Sequence, residues 1–141
     1  AKKFVERAGD SGIAPSDVVV DPLVMPVGAL NNAGVQAMEL IRKLRGELKV
    51  NTICGASNVS FGLPNRHAMN AHFLSMAIGA GMTSAILNPL HRAEMDGVNA
   101  ANVLAGHDPD CRSWLAANRA PGEAATALSG RRGGRRGRTA A

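Results

Sequence analysis

Three short apolar runs, each cut off by a polar residue or a proline, constrain what this chain can fold into more than anything else in it. They are Val18-Val19-Val20 before Asp21-Pro22, Val50-Asn51-Thr52-Ile53-Cys54-Gly55 before Ser57-Asn58, and Thr83-Ser84-Ala85-Ile86-Leu87 before Asn88-Pro89. An apolar run such as Val18–Val20, without polar alternation, predicts a strand buried on both faces. Between the runs the period changes. Val35, Met38, Ile41, Leu44 and Leu48 recur at helical steps, with Asn31 or Asn32 suited to cap the helix start. After Leu63-Pro64-Asn65-Arg66, the residues Met69, Phe73, Met76, Ala77 and Ala80 form a second stripe, read as core and ended by Gly79 and Gly81. Further helices are expected over residues 2–8, closed by Gly9, from about Glu94 to Leu104, and around Trp114-Leu115. Strands alternating with helices in this way predict βαβ units in a parallel sheet, an α/β fold.

Composition sharpens the picture at a few points. A chain of 141 residues, 45% hydrophobic, suits one globular domain. The net charge of +5 looks like a nucleic-acid signal until its position is considered. Of 16 basic residues, five are Arg131, Arg132, Arg135, Arg136 and Arg138; without them, 11 basic residues face 11 acidic ones. The basicity therefore belongs to residues 121–141, a Gly/Arg-rich segment expected to be a disordered tail, while residues 1–120 form the neutral body. Nucleic acid is disfavoured as a partner, because aromatics are only 3% of the chain and none separates those arginines for base stacking. No apolar stretch reaches membrane-helix length and no secretory signal opens the chain, so a cytoplasmic setting is expected. An N-terminus without methionine suggests a processed product or a fragment. Cys54 and Cys111 are 57 residues apart and lack metal-site spacing, as do His67, His72, His91 and His107, so no metal is expected. The histidines read as structural or surface residues.

Each predicted strand runs into polar residues at its C-terminal edge: Asp21, then Ser57-Asn58, then Asn88. In parallel α/β folds ligands sit outside that edge, where loops and helix N-termini converge. A carboxylate and two amides there make a hydrogen-bonding pocket with no cysteine nucleophile and no adjacent histidine base. Plainer readings stand beside this one. Asp21-Pro22 can be a strand-ending turn, Asn58 can bond its own backbone, and Arg66 can be a solvated helix residue.

The words at these edges resemble those of the pterin-binding methyltransferases. Val18 through Pro26 (VVVDPLVMP) looks like that family's sixth-strand motif, and Gly55 through Arg66 (GASNVSFGLPNR) like its seventh. Ala80-Gly81-Met82 and Ala85-Ile86-Leu87-Asn88-Pro89 fit the remainder. The likeness covers about residues 2–119. It is greatest to the methyltetrahydrofolate:corrinoid methyltransferases, and next to the folate-binding module of cobalamin-dependent methionine synthase. It implies the last three βα units of a TIM (β/α)8 barrel. The implied activity is transfer of a methyl group from methyltetrahydrofolate to a corrinoid (cobalamin) carried by a partner protein. It implies that Asp21 holds the pyrimidine-like edge of the pterin, that Asn58 bonds the methyl-bearing nitrogen and acts in catalysis, and that Arg66 and Ile86 line the pocket.

Physical chemistry agrees with those roles. Two adjacent donors on a pterin suit one ionised carboxylate. A tertiary amine leaves poorly unless its nitrogen gains positive character, and a neutral amide can follow that change of charge. A whole barrel needs about 250 residues and eight strands, so the isolated chain is expected to be incomplete, with its barrel finished by another chain or by a homodimer. Two alternatives remain. One is a dihydropteroate synthase-like pterin enzyme, disfavoured because that family's Ser-Arg-Lys reads Ser57-Asn58-Val59 here. The other is a non-catalytic remnant with a polyanion-binding tail.

Overall fold

The computed structural model describes residues 1–119. The tail expected over 121–141 lies outside the described residues. Helix α1 spans Lys2–Asp10, strand β1 Val19–Val20, helix α2 Ala33–Lys43, strand β2 Asn51–Gly55, helix α3 Arg66–Gly79, strand β3 Ser84–Ile86, helix α4 Arg92–Leu104 and helix α5 Arg112–Asn118. A wider helical turn, Leu44–Leu48, continues α2, and a 3-10 turn, Ala56–Ser60, follows β2. The strands form one parallel sheet in the order β1-β2-β3, with Val19 opposite Asn51 and Gly55 opposite Ile86. This is the α/β arrangement with parallel strands that the sequence predicts.

The core lies on one side of the sheet only. Thr52 and Cys54 of β2 are fully buried against the helices, together with Ile41 of α2 and Leu74 of α3. The opposite face is open: Val19 is 54% exposed and Ile86 64%. This corrects the expectation for Val18–Val20, and β3 is likewise far from buried on both faces. Apolar strand residues say that both faces can be buried, but here helices cover only one. The Thr52–Thr83 pair closes the start of the β2–β3 seam. Thr83 Oγ1 donates to the Thr52 carbonyl at 3.0 Å and accepts from the Thr52 N–H at 2.9 Å, while Thr52 Oγ1 accepts from the Thr83 N–H at 3.2 Å.

Several local readings shift. In α2 the buried residues are Ala33, Ala37, Met38 and Ile41, and Val35 is exposed. Asn32 precedes the helix but its side chain makes no capping bond. Met69 and Met76, expected in the core, are 41% and 62% exposed. Phe73, Ala77 and Ala80 of the expected stripe are buried, and Asn70, Leu74 and Ile78 take the places beside them in the core. A polar Asn70 is tolerated there because its amide is fully engaged, as described below. Helix α1 passes through Gly9 to Asp10, and it is Gly12 that takes the left-handed conformation (φ 77°).

Asp108 organises the last helix. Its carboxylate accepts the N–H groups of Ser113 and Trp114, each at 3.0 Å. These bonds hold its pKa below the ordinary carboxylate value. A depressed carboxyl pKa stabilises the fold above the unfolded value, and the contribution disappears as pH falls through the folded one. Fluorescence of Trp114, the sole tryptophan, is therefore expected to report loosening of α5 on acidification below about pH 4. Asp108→Ala should show the loosened signal already at neutral pH; an identical acid profile in the two proteins would contradict this.

Candidate functional site

Because the strands are parallel, Asp21, Asn58, Ile86 and Asn88 all fall at one edge of the sheet, at or just beyond the C-terminal ends of β1, β2 and β3. Ile86 sits on the open face opposite Gly55. The Asn58 amide folds back to that place: its Nδ2 lies 3.3 Å from where a Gly55 Cβ would be. Glycine at 55 thus leaves room for the amide over the sheet. Asp21 directly follows β1, is exposed, and lies near enough to Cys54 for its charge to act on that thiol. Its Oδ1 accepts the Leu23 N–H at 2.8 Å in an Asx turn, with Leu23 in the left-handed region (φ 55°). The strand-ending turn is therefore real, and it also fixes the direction of the carboxylate.

Arg66 is not a free solvated side chain. It donates from a terminal guanidinium nitrogen to the Ser57 carbonyl at 2.8 Å and from Nε to Ser60 Oγ at 3.1 Å, and it lies 5.7 Å from the centre of the Phe61 ring. It ties the loop that carries Asn58 to the start of α3. The loop is held from behind as well. Buried Ser60 donates to Asn70 Oδ1 at 2.6 Å, and Asn70 Nδ2 donates to Glu94 Oε1 at 3.0 Å.

Glu94, 2% exposed, also meets two histidines: His67 Nδ1 at 3.0 Å and His91 Nδ1 at 3.5 Å. Burial alone would raise the pKa of Glu94, but the hydrogen bonds from His67 and Asn70 and the charges of the two histidines outweigh it and hold the carboxyl below its ordinary value. Sequence spacing pairs His91 with Glu94, three residues on at the start of α4, but does not join them to His67 and Asn70, which come from α3. A polar Asn70 within the buried stripe of α3 is the other linear signal. Cys54, by contrast, is inert: burial, with the neighbouring Asp21 charge, pushes its thiol to about 11.

A cavity of about 470 Å³ lies elsewhere, between α3, α4 and β3, and is lined by residues such as Leu74, Ile78, Val98 and His107. None of Asp21, Asn58, Arg66 or Ile86 borders it. The candidate edge is an open shelf.

Residues 1–88 match the pterin binding enzyme family. The chain belongs to that family. Its three parallel strands, linked through helices, are accordingly part of a TIM barrel. This member of the pterin binding enzyme family is also 33% identical, over 121 residues, to a methylcorrinoid:tetrahydrofolate methyltransferase of Eubacterium limosum. That likeness takes in 84% of the chain but 44% of the relative, so the chain spans less than half of that protein's length. Among the described residues of this family member, no helix is long and apolar enough to cross a membrane.

Proposed function

We propose that this chain forms part of the pterin site of an enzyme that moves a methyl group between tetrahydrofolate and a corrinoid carried by a partner protein. The observation that carries the reading is the position of Asp21, Asn58 and Ile86 at one C-terminal edge of a parallel sheet, with Asn58 and Ile86 both beside Gly55. The name of the Eubacterium limosum relative supports it. That name writes the methyl group as passing onto the folate, whereas the family resemblance of the sequence implies its removal. A single pocket serves both directions, since a catalyst speeds forward and reverse steps alike.

On this reading, the Asp21 carboxylate, aimed by its bond from Leu23 N–H, accepts the amino group and ring N–H of the pterin. Asn58 faces N5 of the folate. Its amide N–H donates to the lone pair of the amine, and its carbonyl accepts a hydrogen bond from the N5–H once solvent has protonated that nitrogen. Cleavage of the N5–CH3 bond leaves its electron pair on nitrogen, so stabilising the protonated amine eases the departure of the methyl group. Ile86 supplies an apolar floor, and Arg66 sets the rim by holding Ser57 and Ser60. The remaining walls come from strands on the open face, supplied by another segment or by a second copy of the chain.

Titration of tetrahydrofolate into the protein tests this. Binding is expected, and Asp21→Asn should weaken it about tenfold, the difference between a charge-assisted and a neutral hydrogen bond. Unchanged affinity in that variant would remove Asp21 from the site. Condensation of a pterin pyrophosphate with an aminobenzoate by the same protein would move it to the dihydropteroate synthase reaction.

A further inference from the structure

We infer that His67, His91 and Glu94 form a binding site for a divalent first-row transition-metal ion that ties the start of α3 to the start of α4. One nitrogen from each histidine and one carboxylate oxygen lie within 4.8 Å of one another. With ligand bonds of about 2.0–2.2 Å, neighbouring donors around a tetrahedral or octahedral ion lie about 2.8–3.6 Å apart. The two distances from Glu94 Oε1, 3.0 Å to His67 Nδ1 and 3.5 Å to His91 Nδ1, fall inside that range. The imidazole rings are 3.9 Å apart between centres and tilted by 58°, so the two side chains are in direct contact.

The surroundings suit a cation. Glu94 is buried, and its acceptor oxygen already draws a hydrogen bond from Asn70, the kind of outer contact that orients a ligating carboxylate. The two histidine side chains are 56% and 38% exposed, so an ion can enter from solvent and complete its shell with water. Two imidazoles and one carboxylate favour zinc, cobalt, nickel or iron over calcium or magnesium, which prefer oxygen ligands.

The test is addition of Co2+ to the full chain, followed through its visible absorption and displaced by Zn2+. One Co2+ per chain is expected, and Zn2+ should raise the midpoint of thermal unfolding. His67→Ala should weaken binding at least as much as loss of an outer-shell partner does, about 10–100-fold, and should remove the thermal shift. His72→Ala, an exposed histidine on the same helix outside the cluster, should change neither. Because His67 is largely exposed, its variant is expected to keep the native circular dichroism; Glu94→Gln is the second variant and should also lose the ion. The absence of a Co2+ band, or equal binding by the His67→Ala/His91→Ala double variant, would overturn the assignment. No methyl transfer enters these measurements, so their outcome is separate from that of the pterin reading.

Discussion

Asn58→Ala is expected to lower kcat for methyl exchange about 10²–10³-fold, the usual loss when one preorganised group facing a developing charge is removed. The KM for the folate should change much less, because the pterin is gripped mainly at Asp21 and the amide acts most strongly as N5 becomes charged. Gly55→Ala offers a graded companion. A Cβ there would lie 3.3 Å from Asn58 Nδ2, so the amide must move by a few tenths of an ångström. The turnover of that variant should fall by a smaller factor, in line with the sensitivity of catalysis to displacement. Steady-state kinetics with the corrinoid partner decides the matter. Wild-type kcat in Asn58→Ala would exclude the amide from the chemistry.

The second large effect concerns stability. Gly97 of α4 faces the backbone of α3 so closely that a Cβ would meet the Ala71 carbonyl oxygen at 2.8 Å and the Ala71 Cα at 3.3 Å. Neither atom can yield without parting the helices, which the Ser75 hydroxyl also bridges through the carbonyls of Ala71 and Gly97. Gly97→Val is expected to cost about 3 kcal/mol, the upper part of the range for forced overpacking. Gly97→Ala should cost about 1 kcal/mol, even though alanine is the better helix former by a similar amount. Gly46→Ala, with nothing within 4 Å of its Cβ position, should not destabilise. Urea unfolding at constant m reads these differences directly. A stabilised Gly97→Ala would mean that the two helices are not in close contact.

The parts of the molecule legible in the sequence are those written locally. The strand β2 and the loop after it are continuous text, so the place of Asn58 could be read before any coordinates. The position of Asp21 was equally plain, although its bond to Leu23 was not, because an Asx turn and a ligand-gripping carboxylate begin with the same residue. Burial was harder to read. Helical spacing fits Met69 and Met76 to a stripe with Phe73 and Ala77 as well as it fits Asn70 and Leu74, and only the direction of the neighbouring sheet chooses between them. Hydrophobicity favoured the methionines; the bonds from Asn70 to Ser60 and Glu94 reversed the choice. The exposed Val19 was misread for a related reason, since a strand residue cannot announce whether its second face will be covered. The grouping of His67 with His91 was beyond linear reading altogether: it depends on two helices starting side by side.

The guanidinium of Arg66 carries a thermodynamic consequence. By tying Ser57 to Ser60 in advance, it leaves that rim with little freedom to surrender when a guest settles on it. The entropy of such an encounter should then arise chiefly from released water. Lysine at 66 cannot form the same fork, and its slack would reappear as a conformational penalty on association.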